Sequence, residues 1–172
     1  MRKIRVSDAI QAYEFDIEML QADKKNSNRS KLIQRERLML QFLHTLPLDL
    51  YLNCEGTVTD AHKLNAGSLT ELVVKYHLSK VPTKEVEKSG GLYDVKRGCI
   101  DVEVKLSVNG SCYNTPIAEP MLVYLVNRDG VFMIKKADIP TVAPKGKLPF
   151  TAWEGATKID WLSKRLGFDV EE

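Results

Sequence analysis

The stretch Gly91–Ser107 reads G-L-Y-D-V-K-R-G-C-I-D-V-E-V-K-L-S and contains two runs typical of β-strands around a central glycine. In the second run, apolar residues alternate strictly with Asp101, Glu103 and Lys105. Strict alternation predicts a strand that buries one face and exposes the other. Gly98, as the first residue of a two-residue turn, favours a type II′ hairpin. The sequence therefore predicts an antiparallel hairpin with one apolar and one charged face.

The predicted turn fixes the register of this hairpin and places Asp94 opposite Glu103 on the charged face. Opposed Cβ atoms lie roughly 4.5–5.5 Å apart, and two carboxylates at that distance destabilise the pair unless a cation lies between them. Carboxylate oxygens are the hard donors that Mg²⁺ prefers. Lys105 falls roughly 7 Å further along the same face. Spacing alone leaves two readings open, a divalent-metal site or an ordinary salt-bridge ladder on a solvated face.

Length and composition predict a globular protein with one well-filled core, because 44% of its 172 residues are hydrophobic and 28% are charged. Lys and Arg total 25 against 23 acids, so the overall charge does not by itself indicate a nucleic-acid partner. The three cysteines form no C-x-x-C pair, which argues against a disulfide framework or a zinc site. Without a membrane-length apolar run or a secretion signal, we expect a cytoplasmic protein with no membrane partner.

Helical periodicity precedes and follows the hairpin. We predict helices over residues 8–21, 31–46, 67–81 and 157–166, the last with Gly167 as its C-cap. The first two are expected to form an antiparallel pair. After the hairpin, the runs M-L-V-Y-L-V and V-F-M-I predict two strands, because N-R-D-G between them is a strong hairpin signal. Residues 107–120 and 140–148 read as loops.

This order of elements predicts an α/β (α+β) fold with a mostly antiparallel or mixed sheet. We expect residues 1–47 to form a helical extension, and residues 48–172 to form the α/β core on which it packs.

Asp94, a gap of eight residues and then Glu103-Val104-Lys105 resemble the signature of the PD-(D/E)XK nucleases. The setting is also similar, since an upstream helix, a hairpin and a further strand span roughly residues 67–136, less than half of the chain. The resemblance implies a restriction-endonuclease-like mixed sheet flanked by helices. The chain departs from the family pattern in lacking a proline before Asp94 and a clear downstream glutamine of the kind that resolvases often carry, which leaves membership of that subgroup in doubt.

The resemblance implies a Mg²⁺-dependent endonuclease acting on DNA, with Mn²⁺ able to substitute for Mg²⁺. Asp94 and Glu103 correspond to the metal ligands, Lys105 to the lysine that assists the attacking water, and Glu71 to a helix glutamate that often completes the site. Glu71 is equally well placed for a helix-surface ion pair with Lys75, four residues later. By analogy with nucleases that cut two strands, a homodimer through the N-terminal helix pair is expected.

Basic residues concentrate between positions 24 and 37, where Glu36 is the single acid. Such a segment can contact DNA phosphates, although it is equally typical of a solvated helix–loop face. The candidate phosphate-binding residues are Lys24, Lys25, Arg29, Lys31, Arg35 and Arg37. The polar loop after Lys105 adds weaker candidates for base or phosphate contacts, Asn109, Ser111 and Asn114.

Two other classes of protein fit the same sequence. One is a non-catalytic nucleic-acid-binding or assembly subunit with a nuclease-like fold, although such a subunit would have no chemical reason to keep Asp94, Glu103 and Lys105 together. The other is an unrelated α+β protein with a charged sheet face. A metal-binding protein gains thermal stability from Mg²⁺ or Mn²⁺, and the Asp94→Ala variant loses that gain, whereas the unrelated protein responds in neither form.

Overall fold

A computed structural model describes residues 2–54, 63–80, 101–108, 111–113, 121–135, 138, 147–149 and 155–170. The chain forms two compact units, Met1–Val73 and Val74–Glu172. In chain order, the elements are β1 (Arg2–Arg5), α1 (Val6–Ala22), α2 (Arg29–Leu43), β2 (Tyr51–Cys54), α3 (Ala66–Ser79), β3 (Asp101–Leu106), β4 (Ser111–Tyr113), β5 (Met121–Asn127), β6 (Gly130–Lys135), β7 (Lys147–Pro149), β8 (Thr157–Lys158) and α4 (Asp160–Arg165). The predicted division of the chain at residue 47 stays a prediction.

The predicted N-terminal helix pair is confirmed, since α1 and α2 pack against each other. Each helix buries an apolar stripe at helical spacing, for example Ile10, Tyr13 and Ile17 on α1. The connection between the helices is short, which reverses the chain direction and sets the helices side by side. The second helix ends three residues before the predicted end, because the amides of Thr45 and Leu46 bond to carbonyls only three residues back.

Strands β1 and β2 form an antiparallel two-stranded ribbon in which Ile4 pairs with Leu52 and Arg5 pairs with Tyr51. Ile4 and Leu52 are buried, so this ribbon covers part of the core of the first unit. The sequence did not predict this ribbon, because its two four-residue strands lie far apart in the chain. The ribbon also explains why α1 begins at Val6, whose amide donates to Leu50 O at 2.9 Å.

The second unit contains a four-stranded sheet in the order β3-β5-β6-β8. Strand β3 runs parallel to β5, whereas β5–β6 and β6–β8 are antiparallel. This mixed sheet with helices confirms the coarser fold prediction, an α+β protein. The hairpin predicted from N-R-D-G is also confirmed, with Asn127 paired to Gly130 across a two-residue turn.

Helix α4 packs on β6 and explains the glycine at position 130. Gly130 has φ of +144°, and a Cβ there would lie 2.9 Å from the Ser163 Oγ of α4. That Oγ accepts a hydrogen bond from the Val131 amide at 2.9 Å, so Ser163 cannot move away without losing this buried hydrogen bond. The C-cap prediction at Gly167 agrees with its φ of +85°.

Two further predictions are wrong. The last helix begins at Asp160 instead of residue 157, because Thr157 and Lys158 pair with β6. The stretches predicted as loops, 107–120 and 140–148, overlap the short strands β4 and β7, which pair with each other in antiparallel fashion. Three-residue strands with a distant partner leave no periodic signal in the sequence.

Candidate functional site

Strand β3 carries two of the predicted site residues at positions 103 and 105. In the parallel register, Glu103 pairs with Val123 of β5, and Lys105 pairs with Leu125. Side chains alternate between the two faces of a strand, and paired positions share a face. Positions 103 and 105 therefore belong to the same face of the sheet as Val123 and Leu125.

That face is buried on the neighbouring strand. Val123 and Leu125 are 1% and 0% exposed, and Ile134, the β6 partner of Val123, is buried as well. Lys105 itself is half-buried. The alternative of a salt-bridge ladder depends on the strand before Gly98, which lies outside the described residues. Lys105 borders this apolar layer, where electrostatic interactions are stronger than in water.

The other face of β3 agrees with the predicted apolar parity. Val104 is buried and pairs with Tyr124, which is also fully buried. Burial raises the pKa of Tyr124, so its phenol is neutral. Its hydroxyl has no hydrogen-bond partner among the residues that the structure describes. Both faces of β5 are thus buried over residues 123–126.

Glu71 lies on α3, as predicted, and is half-buried. The start of this helix is capped, because Asn65 Oδ1 accepts the Ser68 amide at 2.8 Å. Lys75 is also half-buried and follows one turn later. The role of Glu71, as a metal ligand or as half of a helix ion pair, stays a prediction.

The predicted basic segment does not form one stripe. Lys24 and Lys25 are exposed in the α1–α2 connection, and Lys31 and Arg35 are exposed one turn apart on α2. Arg29 donates from Nη1 to Gln21 O at 3.3 Å, so it contacts the end of α1.

Arg37 follows Lys31 by six residues and Arg35 by two. At about 100° per residue, it therefore lies on a different side of α2 from both. The structure therefore brings Lys31 and Arg35 together and separates Arg37 from them.

Three of the predicted site residues, Asp94, Asn109 and Asn114, lie outside the described residues, as does the predicted turn at Gly98. Within the described ranges, no group of three or more His, Cys, Asp or Glu side chains is arranged to hold a metal ion. Because Asp94 is not among them, the two-carboxylate site stays a prediction. Its donor chemistry fits Mg²⁺, since Asp94 and Glu103 both supply carboxylate oxygens.

The sequence did not reveal a cluster of charges around Lys63 in the first unit. The Lys63 ammonium contacts Asp16 Oδ2 on α1 and lies 3.5 Å from Glu36 Oε2 on α2. It also lies 5.3 Å from the centre of the Tyr13 ring, whose hydroxyl donates to Leu64 O at 2.6 Å. Burial lowers the pKa of Lys63, and the two carboxylates oppose that effect.

The exposed side of the β1–β2 ribbon was also not predicted from the sequence. Lys3, Arg5, Tyr51 and Asn53 are all exposed and occupy paired positions, Lys3 with Asn53 and Arg5 with Tyr51. We call these four residues the ribbon face. The alternation of K-I-R and Y-L-N, each with a single apolar residue in the middle, is the signal that could have revealed it.

Comparison of the chain with protein-family models, curated proteins and solved structures gives no match. The resemblance to PD-(D/E)XK nucleases therefore depends on the residues and their setting alone. Among the described helices, none combines the length and the hydropathy needed to cross a membrane.

Proposed function

We propose that the chain is a Mg²⁺-dependent endonuclease that cleaves DNA. The observation that supports this most strongly is the position of Lys105. It is half-buried, it shares a strand face with position 103, and its register neighbour Leu125 is fully buried. A half-buried lysine beside a buried apolar layer, two residues from a glutamate in the sequence, fits a site for a charged ligand.

The spacing of these two residues supports the proposal. Alternate residues of a strand are roughly 7 Å apart, which is too far for their Cβ atoms to contact each other but near enough for both side chains to reach one phosphate group. Glu103 would bind the cation that accompanies the phosphate, and Lys105 would bind the phosphate itself. A phosphate with its bound cation needs both kinds of partner.

Asp94 and Glu103 would hold the metal. A bound Mg²⁺ would polarise the scissile phosphate and would lower the pKa of a coordinated water. The Lys105 ammonium stabilises the negative charge that develops on the phosphate oxygens and donates a hydrogen bond to the attacking water. Since water is partly excluded beside Val123 and Leu125, this positive charge is less screened than on an open surface.

Exposed cations of the first unit would hold the substrate backbone, with Lys31 and Arg35 as the matched pair on α2. A homodimer through the helix pair belongs to the same proposal. Phe15 and Met19, 60% and 56% exposed and one turn apart on α1, are apolar side chains that such an interface would cover.

The test incubates the purified full chain and Mg²⁺ with supercoiled plasmid, linear duplex DNA, a four-way junction, single-stranded DNA and RNA. We expect cleavage of DNA, and a loss of roughly 10²–10³-fold in the Lys105→Ala variant, as for other transition-state charge partners. Lys135→Ala is the matched control, because Lys135 is an exposed strand lysine in the same sheet, and it should cut like the parent.

Cleavage unchanged by Lys105→Ala would contradict the proposed role of that residue. A parent protein that binds DNA but leaves every substrate intact, with Mg²⁺ and with Mn²⁺, would instead support the non-catalytic binding subunit. Thermal unfolding with and without Mg²⁺ is the control. A cooperative transition shows that each variant is folded, and only a metal-binding protein gains stability from the ion.

A further inference from the structure

The ribbon face is basic and free of acids. Strands β1 and β2 read R-K-I-R and Y-L-N-C and contain no carboxylate, and the ribbon face carries the two cations Lys3 and Arg5. Lys3 and Arg5 are exposed on one side, while Ile4 and Leu52 are buried on the other. A small ribbon needs apolar anchors on its buried side, but the fold does not require cations on its exposed side. The charge is therefore available for a ligand.

An aromatic ring lies among these cations. Tyr51 is 51% exposed, and the Arg5 guanidinium carbon is 5.0 Å from its ring centre. The Arg5 Nη2 also donates to the Tyr51 hydroxyl at 2.6 Å. These two contacts restrict the guanidinium before any ligand arrives, which reduces the entropy lost when it binds an anion.

The spacing on β1 suits a chain of anions. Lys3 and Arg5 are alternate residues and so lie roughly 7 Å apart on the same side of the strand, a step comparable to that between neighbouring phosphates of one nucleic-acid strand. Asn53, opposite Lys3, adds an amide that can both donate and accept hydrogen bonds.

We propose that the ribbon face binds single-stranded nucleic acid, with Lys3 and Arg5 on consecutive phosphates and a base stacked on Tyr51. Single strands are favoured over duplexes because a base must be unstacked from its neighbours to reach an aromatic side chain. An acidic peptide or an anionic membrane would use the two cations but would gain little from the exposed ring. The proposal names a substrate-holding surface for the proposed nuclease and rests on that function for its biological setting.

Binding is measured without cleavage, by fluorescence anisotropy of labelled 20-nucleotide single strands and duplexes in EDTA. Tyr51→Thr removes the ring and keeps a residue that favours strands. We expect it to weaken single-strand binding roughly 5- to 150-fold, the range measured for loss of one stacked base. Tyr51→Phe keeps the ring and loses only the hydrogen bond from Arg5, so it should lose much less affinity than Tyr51→Thr.

The charges are tested with the double variant Lys3→Gln/Arg5→Gln. Loss of two phosphate contacts should reduce the slope of log affinity against log salt by about 1.4 for single strands. The matched control is Lys80→Gln/Lys164→Gln, which removes two exposed cations elsewhere. One of these, Lys80, also lies over a tyrosine ring, 5.4 Å from the centre of Tyr76. The control should leave the slope unchanged.

Equal losses in the ribbon and control variants would overturn the proposal, because they would show a general charge effect. It would also be overturned if the ribbon variants lost binding only to phosphatidylserine vesicles or to a poly-glutamate peptide. Its failure is distinct from failure of the proposed function. Ribbon variants that bind and cut DNA like the parent would refute only the ribbon, whereas strand binding by a parent that never cuts would refute only the nuclease.

Discussion

Lys63 contacts carboxylates of both α1 and α2. Replacing it with methionine tests how much a nearly buried cation contributes to the free energy of unfolding. Its side chain is only 12% exposed, and that of Glu36 is 10% exposed. Methionine has a similar length and no charge, so Lys63→Met removes the counter-charge without opening a large cavity. The Glu36 carboxylate would then remain buried beside an apolar side chain.

Removing one member of a buried ion pair costs about 3–5 kcal/mol, against about 0–1 kcal/mol for a surface pair. Asp16 is 29% exposed and can be solvated, so Glu36 dominates the cost. We therefore expect a loss of about 3 kcal/mol in the free energy of unfolding. With a urea m-value of about 2 kcal/mol/M, the midpoint would fall by about 1.5 M.

Urea unfolding followed by far-UV circular dichroism measures this shift. Lys31→Met, an exposed lysine on α2, is the matched control and should change stability by less than about 0.5 kcal/mol. Adding Glu36→Gln to Lys63→Met removes the negative charge of the nearly buried Glu36 side chain and should recover part of the loss. A Lys63→Met loss below about 1 kcal/mol, or no recovery in the double variant, would refute the reasoning.

Two further predictions concern the second unit. Burial, and then the charge of Arg165, lower the pKa of His77 to about 4. The unfolded chain therefore takes up a proton below pH 6.5 that the folded chain does not. Stability should fall by up to about 2 kcal/mol from pH 7 to pH 5, and this fall should disappear in His77→Gln when urea midpoints are compared at both pH values. Gly130→Ala should cost about 2 kcal/mol in thermal unfolding, because of its positive φ and the contact of the new Cβ with Ser163. Gly155→Ala, where a Cβ meets no atom of the described residues within 4 Å, should cost almost nothing, and equal losses in both would exclude strain as the cause.

The sequence predicted those elements whose signal lies within one continuous segment. The helices α1, α2 and α3 follow from apolar spacing within one segment, and the β5–β6 hairpin follows from its turn residues. The ribbon β1–β2 and the pair β4–β7 could not be predicted in this way, because each joins short strands that are distant in sequence.

The candidate site was likewise predicted only in part. Alternation along β3 was enough to place Glu103 and Lys105 on one face. It could not show that this face is buried on the next strand, because that follows from the parallel pairing of β3 with β5. Lys63 gave no signal either, since its two carboxylate partners lie 47 and 27 positions earlier in the chain.

The parallel pairing of β3 with β5 also has a consequence for the order of folding. Parallel neighbours need a long crossover connection, whereas β5 and β6 are joined by two residues. Closing a long loop is entropically costly, so hairpins form sooner than distant pairings. We expect β5–β6 to assemble first and the strand with Glu103 and Lys105 to dock late. Any chemistry that depends on these two residues would then appear only late in refolding, when β3 has docked on β5.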